Sequence, residues 1–149
     1  MTDAATPATP ATPATPADDE RLVLDFLAAL GSDLDGIRAA IRGYTTDDFV
    51  YENPGVPTCH GQLAAIELYE QFHRIAGFTR VDITVRHVRS GQGIVMVERW
   101  DAPKTADGAV IGGEPGPCLG AFELRNGRIA AWRDYYDPTP LLSYFGSLA

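Results

Sequence analysis

The spacing of apolar residues predicts helices in the first half of the chain. One set shares the spacing i, i+3, i+4, i+7: Val23, Phe26, Leu27 and Leu30. That spacing gives a helix one apolar face, and the acids at 18–20 suit its first turn because the helix dipole favours negative charge there. A second, short helix is predicted to end near Gly43, and a third to span about 62–76. The apolar points of the third helix are Leu63, Ile66, Tyr69 and Ile75.

The pattern changes to strands after Gly77. Val81, Ile83 and Val85 alternate with polar residues, which is typical of a half-buried strand. The other predicted strands share short apolar runs bounded by turn residues, and they span 46–53, 94–101, 119–124 and 128–136. The second half of the chain is therefore expected to form a sheet.

The turns between these strands indicate how the sheet is connected. Asn126-Gly127 is the strongest hairpin signal in the sequence, and 102–117 is a long loop rich in Gly and Pro. Because helices come first and hairpin-linked strands last, we expect an α+β fold with helices on one face of a curved, mostly antiparallel sheet. A pocket between that sheet and the helices would be a common place for a ligand.

The N-terminus differs in composition from the rest of the chain. Residues 5–16 repeat Ala-Thr-Pro four times, and proline at every third position disfavours a helix. We interpret 1–17 as a disordered tail without large apolar groups to bury. The remaining 18–149 is expected to form one domain, which the length of 149 residues allows.

Charge and cysteine content exclude several classes of function. Twelve basic against twenty acidic side chains give a net charge of -8, which argues against binding to nucleic acid or to an anionic membrane. We also expect no secretory signal and no transmembrane helix, because no apolar run approaches about 18 residues. Cys59 and Cys118 are expected to be free and reduced, which suits the cytoplasm. Neither CxxC nor HxxxH occurs, so no metal site is predicted.

Polar groups occur on the predicted inner faces of the strands. Arg99 and Asp101 share a face with Val95 and Val97, so the arginine needs an anionic partner if it is buried. Asp101 supplies one carboxylate. The second is predicted to be Asp134, which shares a strand face with two large aromatic residues.

Two further polar residues share a face on the strand at 46–53. Tyr51 and Asn53 carry a phenol and an amide, which together can hold one water molecule. A purely structural interpretation exists for each group separately: Arg99 and Asp101 as an ion pair that sets strand register, and Trp132 as a packing residue. Together, however, two acids, an arginine, a tyrosine and an asparagine exceed what a small core normally holds.

Three segments, 50–53, 98–101 and 132–137, resemble the motifs of the limonene-1,2-epoxide hydrolase family in order and approximate spacing. The hairpin at 120–129 is also similar, and the resemblance extends roughly over 22–137. It implies a cone-shaped, nuclear-transport-factor-like α+β fold with a mixed sheet. It further implies a homodimer that needs neither cofactor nor metal.

The resemblance also assigns roles to the five polar residues. It implies a catalytic set of Asp101, Arg99 and Asp134, with Tyr51 and Asn53 holding water. Opening an epoxide at neutral pH needs one protonated and one ionised acid, and two carboxylates beside one arginine can provide both. Asp134 is then the expected base and Asp101 the expected acid, acting on a small apolar epoxide and water.

Other functions remain open on the sequence alone. The same fold serves isomerases and polyketide cyclases, and an epoxide-opening cyclase would use a substrate hydroxyl in place of water. A small-molecule-binding protein with an inert ion network is a third possibility. The segment 103–117 and the proline-rich end after Asp137 depart from the family pattern. We expect both to border the pocket, which leaves the identity of the substrate undetermined.

Overall fold

Residues 12–148, which the computed structural model describes, form four helices and six strands. The helices are α1 (Pro16–Ala29), α2 (Leu34–Tyr44), α3 (Gln62–Ala76) and α4 (Thr139–Ser147). The strands are β1 (Thr45–Glu52), β2 (Cys59–His60), β3 (Phe78–Gly91), β4 (Ile94–Thr105), β5 (Gly116–Arg125) and β6 (Arg128–Tyr135). The predicted α+β class is confirmed.

Local sequence signals explain where the helices begin and end. Thr15 and Asp18 form a reciprocal capping box at the start of α1, and the Asp33 side chain accepts from the Gly36 amide at 2.7 Å at the start of α2. Helix α3 ends at Gly77, whose φ of 69° is accessible at no steric cost only to glycine. The predicted span of α3 is therefore confirmed.

The six strands form one mixed sheet in the order β2-β1-β6-β5-β4-β3. Strand β1 runs parallel to β6, and the other neighbours are antiparallel. Asn126 and Gly127 join β5 to β6 with φ values of 52° and 72°, as a type I′ turn requires. Most neighbouring strands of the sheet are also consecutive in the sequence. Strands β1 and β6 are the exception, because they pair although they are far apart in the sequence.

Helices α1, α2 and α3 cover the inner face of this sheet. The apolar stripe of α1 packs there, with Val23, Phe26, Leu27 and Leu30 at most 1% exposed. Phe26 meets Phe122 and Trp132 edge to face, so helix and sheet share one aromatic core. The predicted packing of helices on one face of the sheet is confirmed.

The structure differs from the sequence predictions at several boundaries. Helix α1 begins at Pro16, two residues before the predicted start at Asp18, because proline is tolerated in a first turn where its missing N–H has no partner. Of the rest of the predicted tail, 12–15 form neither helix nor strand, and 1–11 lie outside the described residues. Strands β4 and β5 are longer than predicted, which shortens the loop between them to 106–115.

Two apolar residues of α3 that were expected to face the core are exposed. Leu63 is 64% exposed and Ile75 is 49% exposed, whereas Ile66 and Tyr69 are buried as predicted. Ala65 and Leu68, which the prediction left out, are buried instead. The inner stripe of α3 therefore includes small residues that a search for large apolar side chains overlooks. No helix within 12–148 is long and apolar enough to cross a bilayer.

Candidate active site

The sheet and the helices enclose a cavity of about 580 Å³. Its wall is mainly apolar, with Leu30 from α1, Phe72 from α3 and Ile83 from β3 among the lining residues. The five polar residues singled out from the sequence all line it: Tyr51, Asn53, Arg99, Asp101 and Asp134. We call these five residues the floor of the cavity.

Arg99 holds the two acids of the floor. Its Nε donates to Asp101 Oδ1 at 2.9 Å and to Oδ2 at 3.1 Å, and its Nη2 donates to Asp134 Oδ1 at 2.8 Å. Burial alone would lower the pKa of Arg99, but the charges of Asp134 and Asp101 raise it above its ordinary value. The guanidinium is 1% exposed and stays charged, so it is a fixed positive centre between two carboxyl groups.

Asp134 is the more enclosed of the two acids. Its side chain is 5% exposed against 23% for Asp101. Burial raises the pKa of Asp134, and the negative charge of Asp101 acts in the same direction, whereas Arg99 and a hydrogen bond from Trp132 oppose the rise. Trp132 Nε1 donates to Asp134 Oδ1 at 2.6 Å. Both donors to this carboxyl group therefore bind Oδ1, and neither of them holds Oδ2.

Tyr51 and Asn53 lie at the end of β1, next to Asp134. The parallel register pairs Tyr51 with Trp132 and Glu52 with Arg133, so its continuation places Asn53 beside Asp134. The Tyr51 ring stacks on Trp132 with centroids 4.3 Å apart. Asn53 Oδ1 is buried and has no partner among the described residues. An unpaired buried acceptor is unfavourable unless something binds it, so this atom is suited to a water molecule.

Three other residues at the site were not assigned a role from the sequence. Tyr69 on α3 lies parallel to Tyr51 with centroids 6.2 Å apart, and Tyr136 and Cys118 line the same cavity. Burial raises the pKa of all three side chains, so both phenols and the thiol keep their protons. Tyr136 shares the strand face of Asp134, and that spacing was the one signal in the sequence. Tyr69 and Cys118 carried none.

One cluster of the site has the composition of a metal site. Asp101, Cys118 and Asp134 each offer a ligand atom within 4.8 Å of the others. The guanidinium of Arg99 already binds both carboxyl groups, and its positive charge opposes a cation at the same place. These residues therefore fit an arginine better than a metal. Both cysteines are free, as predicted.

The two segments that depart from the family pattern line one part of the cavity. The loop 106–115 contributes Ile111 and Glu114, and α4 contributes Pro140 and Leu141. We call the loop 106–115 and α4 together the mouth of the cavity. The expectation that both segments border the pocket is confirmed.

Comparison with known proteins places the chain in a family. The limonene-1,2-epoxide hydrolase catalytic domain matches residues 17–146. Epoxide hydrolase EphG of Mycobacterium tuberculosis is 33% identical over 119 residues, which cover 75% of this chain and 68% of that protein. The chain therefore belongs to the limonene-1,2-epoxide hydrolase family, as its three motifs indicated.

Solved structures agree with this placement. An LEH-like epoxide hydrolase from M. tuberculosis has a TM-score of 0.67 and 25% identity, covering 89% of this chain and 92% of that one. A candidate SnoaL-like polyketide cyclase from Jannaschia sp. CCS1 has a TM-score of 0.72 at 18% identity, covering 93% and 99%. The second likeness shows the shared NTF2-like fold alone.

Proposed function

We propose that the chain adds one water molecule directly to an epoxide and releases a vicinal diol. The observation that carries the proposal is the position of Arg99, which binds the carboxyl groups of Asp101 and Asp134. The second of these acids adjoins the end of β1, where Tyr51 and Asn53 are proposed to hold water. Asp134 takes a proton from water as the water oxygen bonds to an epoxide carbon. Asp101 gives its proton to the epoxide oxygen as the carbon–oxygen bond breaks.

The order of the strands supports Asp134 as the base. Tyr51 is on β1 and Asn53 directly follows that strand, which pairs with β6, whereas Asp101 is on β4 two strands further away. Water held by Tyr51 and Asn53 therefore lies closer to Asp134. A raised pKa makes the ionised Asp134 a better proton acceptor, and its Oδ2 is not engaged by Arg99 or Trp132.

The charge balance supports one protonated and one ionised acid beside Arg99. Arg99 contributes one positive charge to a site that is largely shielded from water. With one ionised carboxylate the three groups are neutral, whereas two ionised carboxylates leave a net negative charge in a region of low dielectric. Because the order of the strands assigns the base role to Asp134, Asp101 is the acid that carries the proton, and Arg99 keeps both acids in place.

A substrate hydroxyl in place of water is the second candidate, because the cavity of about 580 Å³ has room for a substrate that folds back on itself. The unpartnered Asn53 Oδ1 favours water, since it offers an acceptor next to the base. Turnover of a panel of epoxides, from small terpenoid to steroid-sized, distinguishes the two. We expect vicinal diols, and cyclic ethers without diols would contradict the proposal.

The single-step route has a direct isotopic test. In one turnover with enzyme in excess in ¹⁸O-water, direct attack places the label in the diol at once. A carboxylate nucleophile would give its own oxygen to the first diol and take up the label itself. Label in the peptide that contains Asp134 would mean that this residue is a nucleophile and that Tyr51 and Asn53 do not hold the attacking water.

We also propose that residues 16–148 form one catalytic domain that acts as a homodimer in a reducing compartment. The support for a dimer is an apolar patch on the outer face of the sheet, formed by Met96, Leu119 and Tyr135, which are 39–56% exposed. Leu119 pairs with Tyr135 across the strands, and Met96 on β4 is diagonal to Leu119, two residues from its direct partner. The two free thiols support the reducing compartment.

Size-exclusion chromatography with light scattering tests the dimer. Leu119→Glu places a charge inside the patch and is expected to give a monomer. Leu63→Glu is the matched control, because Leu63 is also exposed but lies on α3, away from the patch. A monomeric wild type, or a Leu119→Glu variant that stays dimeric, would contradict this interface.

A further inference from the structure

We infer that Gly120 is a positioning residue for the reaction, because its missing side chain provides the space through which Arg99 reaches Asp134. The inference rests on the proposed role of Arg99 as the group that holds both acids. It assigns a part in the chemistry to a glycine in the middle of β5, a residue that carries neither a charge nor a reactive group.

The order of the strands creates a distance that Arg99 must span. Arg99 is on β4 and Asp134 is on β6, and β5 lies between them. Neighbouring strands are about 4.8 Å apart, so the two acids stand on strands separated by roughly 10 Å. The guanidinium therefore has to cross the inner face of β5. Inward-facing residues on β5 alternate, and those along the crossing are Cys118, Gly120 and Phe122.

The crossing point is Gly120. Gly120 pairs with Asp134 on one side and with Val97 on the other, while Arg99 is opposite Cys118. A Cβ added at Gly120 would lie 2.3 Å from Arg99 Nη1, 2.8 Å from Phe122 Cε2 and 3.1 Å from Asp134 Oδ1. The first two distances are shorter than non-bonded carbon contacts allow. Any side chain at this position therefore collides with the guanidinium.

Backbone conformation does not explain the glycine. The φ of Gly120 is not among the positive values of this chain, so an L-residue can adopt its backbone without strain. The collision is instead with two side chains, the far end of Arg99 and, less closely, the ring of Phe122. Nη1 has no hydrogen-bond partner among the described residues, so no hydrogen bond from Nη1 opposes its displacement. An alanine would displace Arg99 without breaking the sheet.

Displacement of Arg99 affects the hydrogen bond and the pKa of Asp134. Moving Nη1 by about 1 Å to relieve the contact also moves Nη2, which donates to Asp134 at 2.8 Å. A misplacement of about 1 Å can cost about 100-fold in rate. The charge of Arg99 and its hydrogen bond lower the pKa of Asp134, and the same movement weakens both. We therefore expect that pKa to rise further in the variant.

The test is Gly120→Ala, with Gly91→Ala as its control. Gly91 also stands in a strand, its φ is not positive, and an added Cβ there meets nothing within 4 Å. Carbon-13 NMR titration of the Asp134 carboxyl group reads the pKa without substrate. We expect Gly120→Ala to stay folded, to raise this pKa and to lower kcat about 100-fold with little change in KM. Gly91→Ala should match the wild type in all three.

A second variant covers the case in which Gly120→Ala does not fold. Lysine in place of Arg99 removes Nη1. Gly120→Ala should therefore lower kcat less in the Arg99→Lys background than in the wild type, and the double variant should fold. Three results would overturn the inference. They are an equal cost of Gly120→Ala in both backgrounds, failure of the double variant to fold, and an unchanged Asp134 pKa in folded Gly120→Ala. An absence of diol from the wild type would instead count against the proposed function, because the titration needs no turnover.

Discussion

The floor and the mouth of the cavity are built from different kinds of structure. Arg99 and Asp134 stand on β4 and β6, which each have strands on both sides, and they are 1% and 7% exposed. The mouth consists of the loop 106–115 and of α4, a helix without a buried residue. The floor is held by strand pairing and ion pairs. In the mouth, the loop is held to β4 by backbone bonds such as that from Ile111 N to Pro103 O at 2.8 Å, whereas α4 rests on side-chain contacts such as the stacking of Phe145 on Phe72.

The difference separates two properties of the enzyme. On the proposed mechanism the chemistry depends on groups that the sheet fixes, so we expect small displacements there to be costly. We expect the choice of substrate to depend on the mouth, which can be altered without moving those groups. Changes in the floor should therefore act on kcat, and changes in the mouth on KM.

Asp134→Asn is expected to have the largest effect. The amide cannot take a proton from water, and loss of a general base typically costs about 10²–10⁴-fold in rate. The fold should persist because asparagine keeps the size of the side chain and can still accept from Arg99 and Trp132. Diol formation and circular dichroism measure the two effects, with Asp47→Asn, an exposed acid on β1, as the control. A rate within tenfold of the wild type would remove Asp134 as the base.

Asp101→Asn is expected to be almost as severe, again about 10²–10⁴-fold, because no proton is then available for the epoxide oxygen. The loss should depend on the substrate. An epoxide whose ring opens to a more stable alkoxide needs less help from an acid and should retain more of its rate. Rates for a series of such epoxides, compared between the variant and the wild type, measure this dependence. Equal losses along the series would contradict the role of Asp101.

The pH profile should show an acid limb that belongs to Asp134. The base works only when ionised, and its pKa lies above the ordinary value because the group is buried. Activity should therefore fall as the pH falls, by about tenfold per unit below that pKa, and the fall should begin at a higher pH than for an exposed carboxyl group. Measurement of kcat against pH tests this, and an acid limb at the ordinary pKa of aspartate would count against it.

Asn53→Ala should cost less than loss of either acid, about tenfold in kcat, because Tyr51 still holds the water. The change removes the one floor acceptor that is buried without a partner. Asn53→Asp is the informative companion, since it restores an acceptor but adds a negative charge beside Asp134. We expect it to shift the acid limb to higher pH, which the alanine variant should not do.

Leu141→Ala, in the mouth, is expected to have the smallest effect. It enlarges the opening near Gly112, against which the Leu141 side chain packs. Loss of apolar contact should raise KM for a bulky epoxide by about 10-fold and leave kcat unchanged. Steady-state kinetics with a small and a bulky substrate measure this effect. A large fall in kcat would show that floor and mouth are coupled after all.

Much of the floor could be predicted from the sequence because each of its parts is local. The alternation of β4 puts Arg99 and Asp101 on the face of Val95 and Val97, and the same argument places Asp134 with Trp132. Burial of Arg99 then demands a second acid, which the structure supplies. Two residues of the helix α3 were misjudged, Leu63 and Ile75, because a helical period does not say which of two apolar edges meets the sheet.

Residue identity and local period determined the elements, the hairpin at Asn126-Gly127, and the three motifs that point to the family. Only the tertiary structure decided that β1 lies parallel to β6, because strands so far apart in sequence have no turn that sets their pairing. That pairing places Asn53 beside Asp134, and the order β6-β5-β4 places Gly120 under the guanidinium of Arg99. A glycine without positive φ carries no local signal, since its importance comes from what crosses over it.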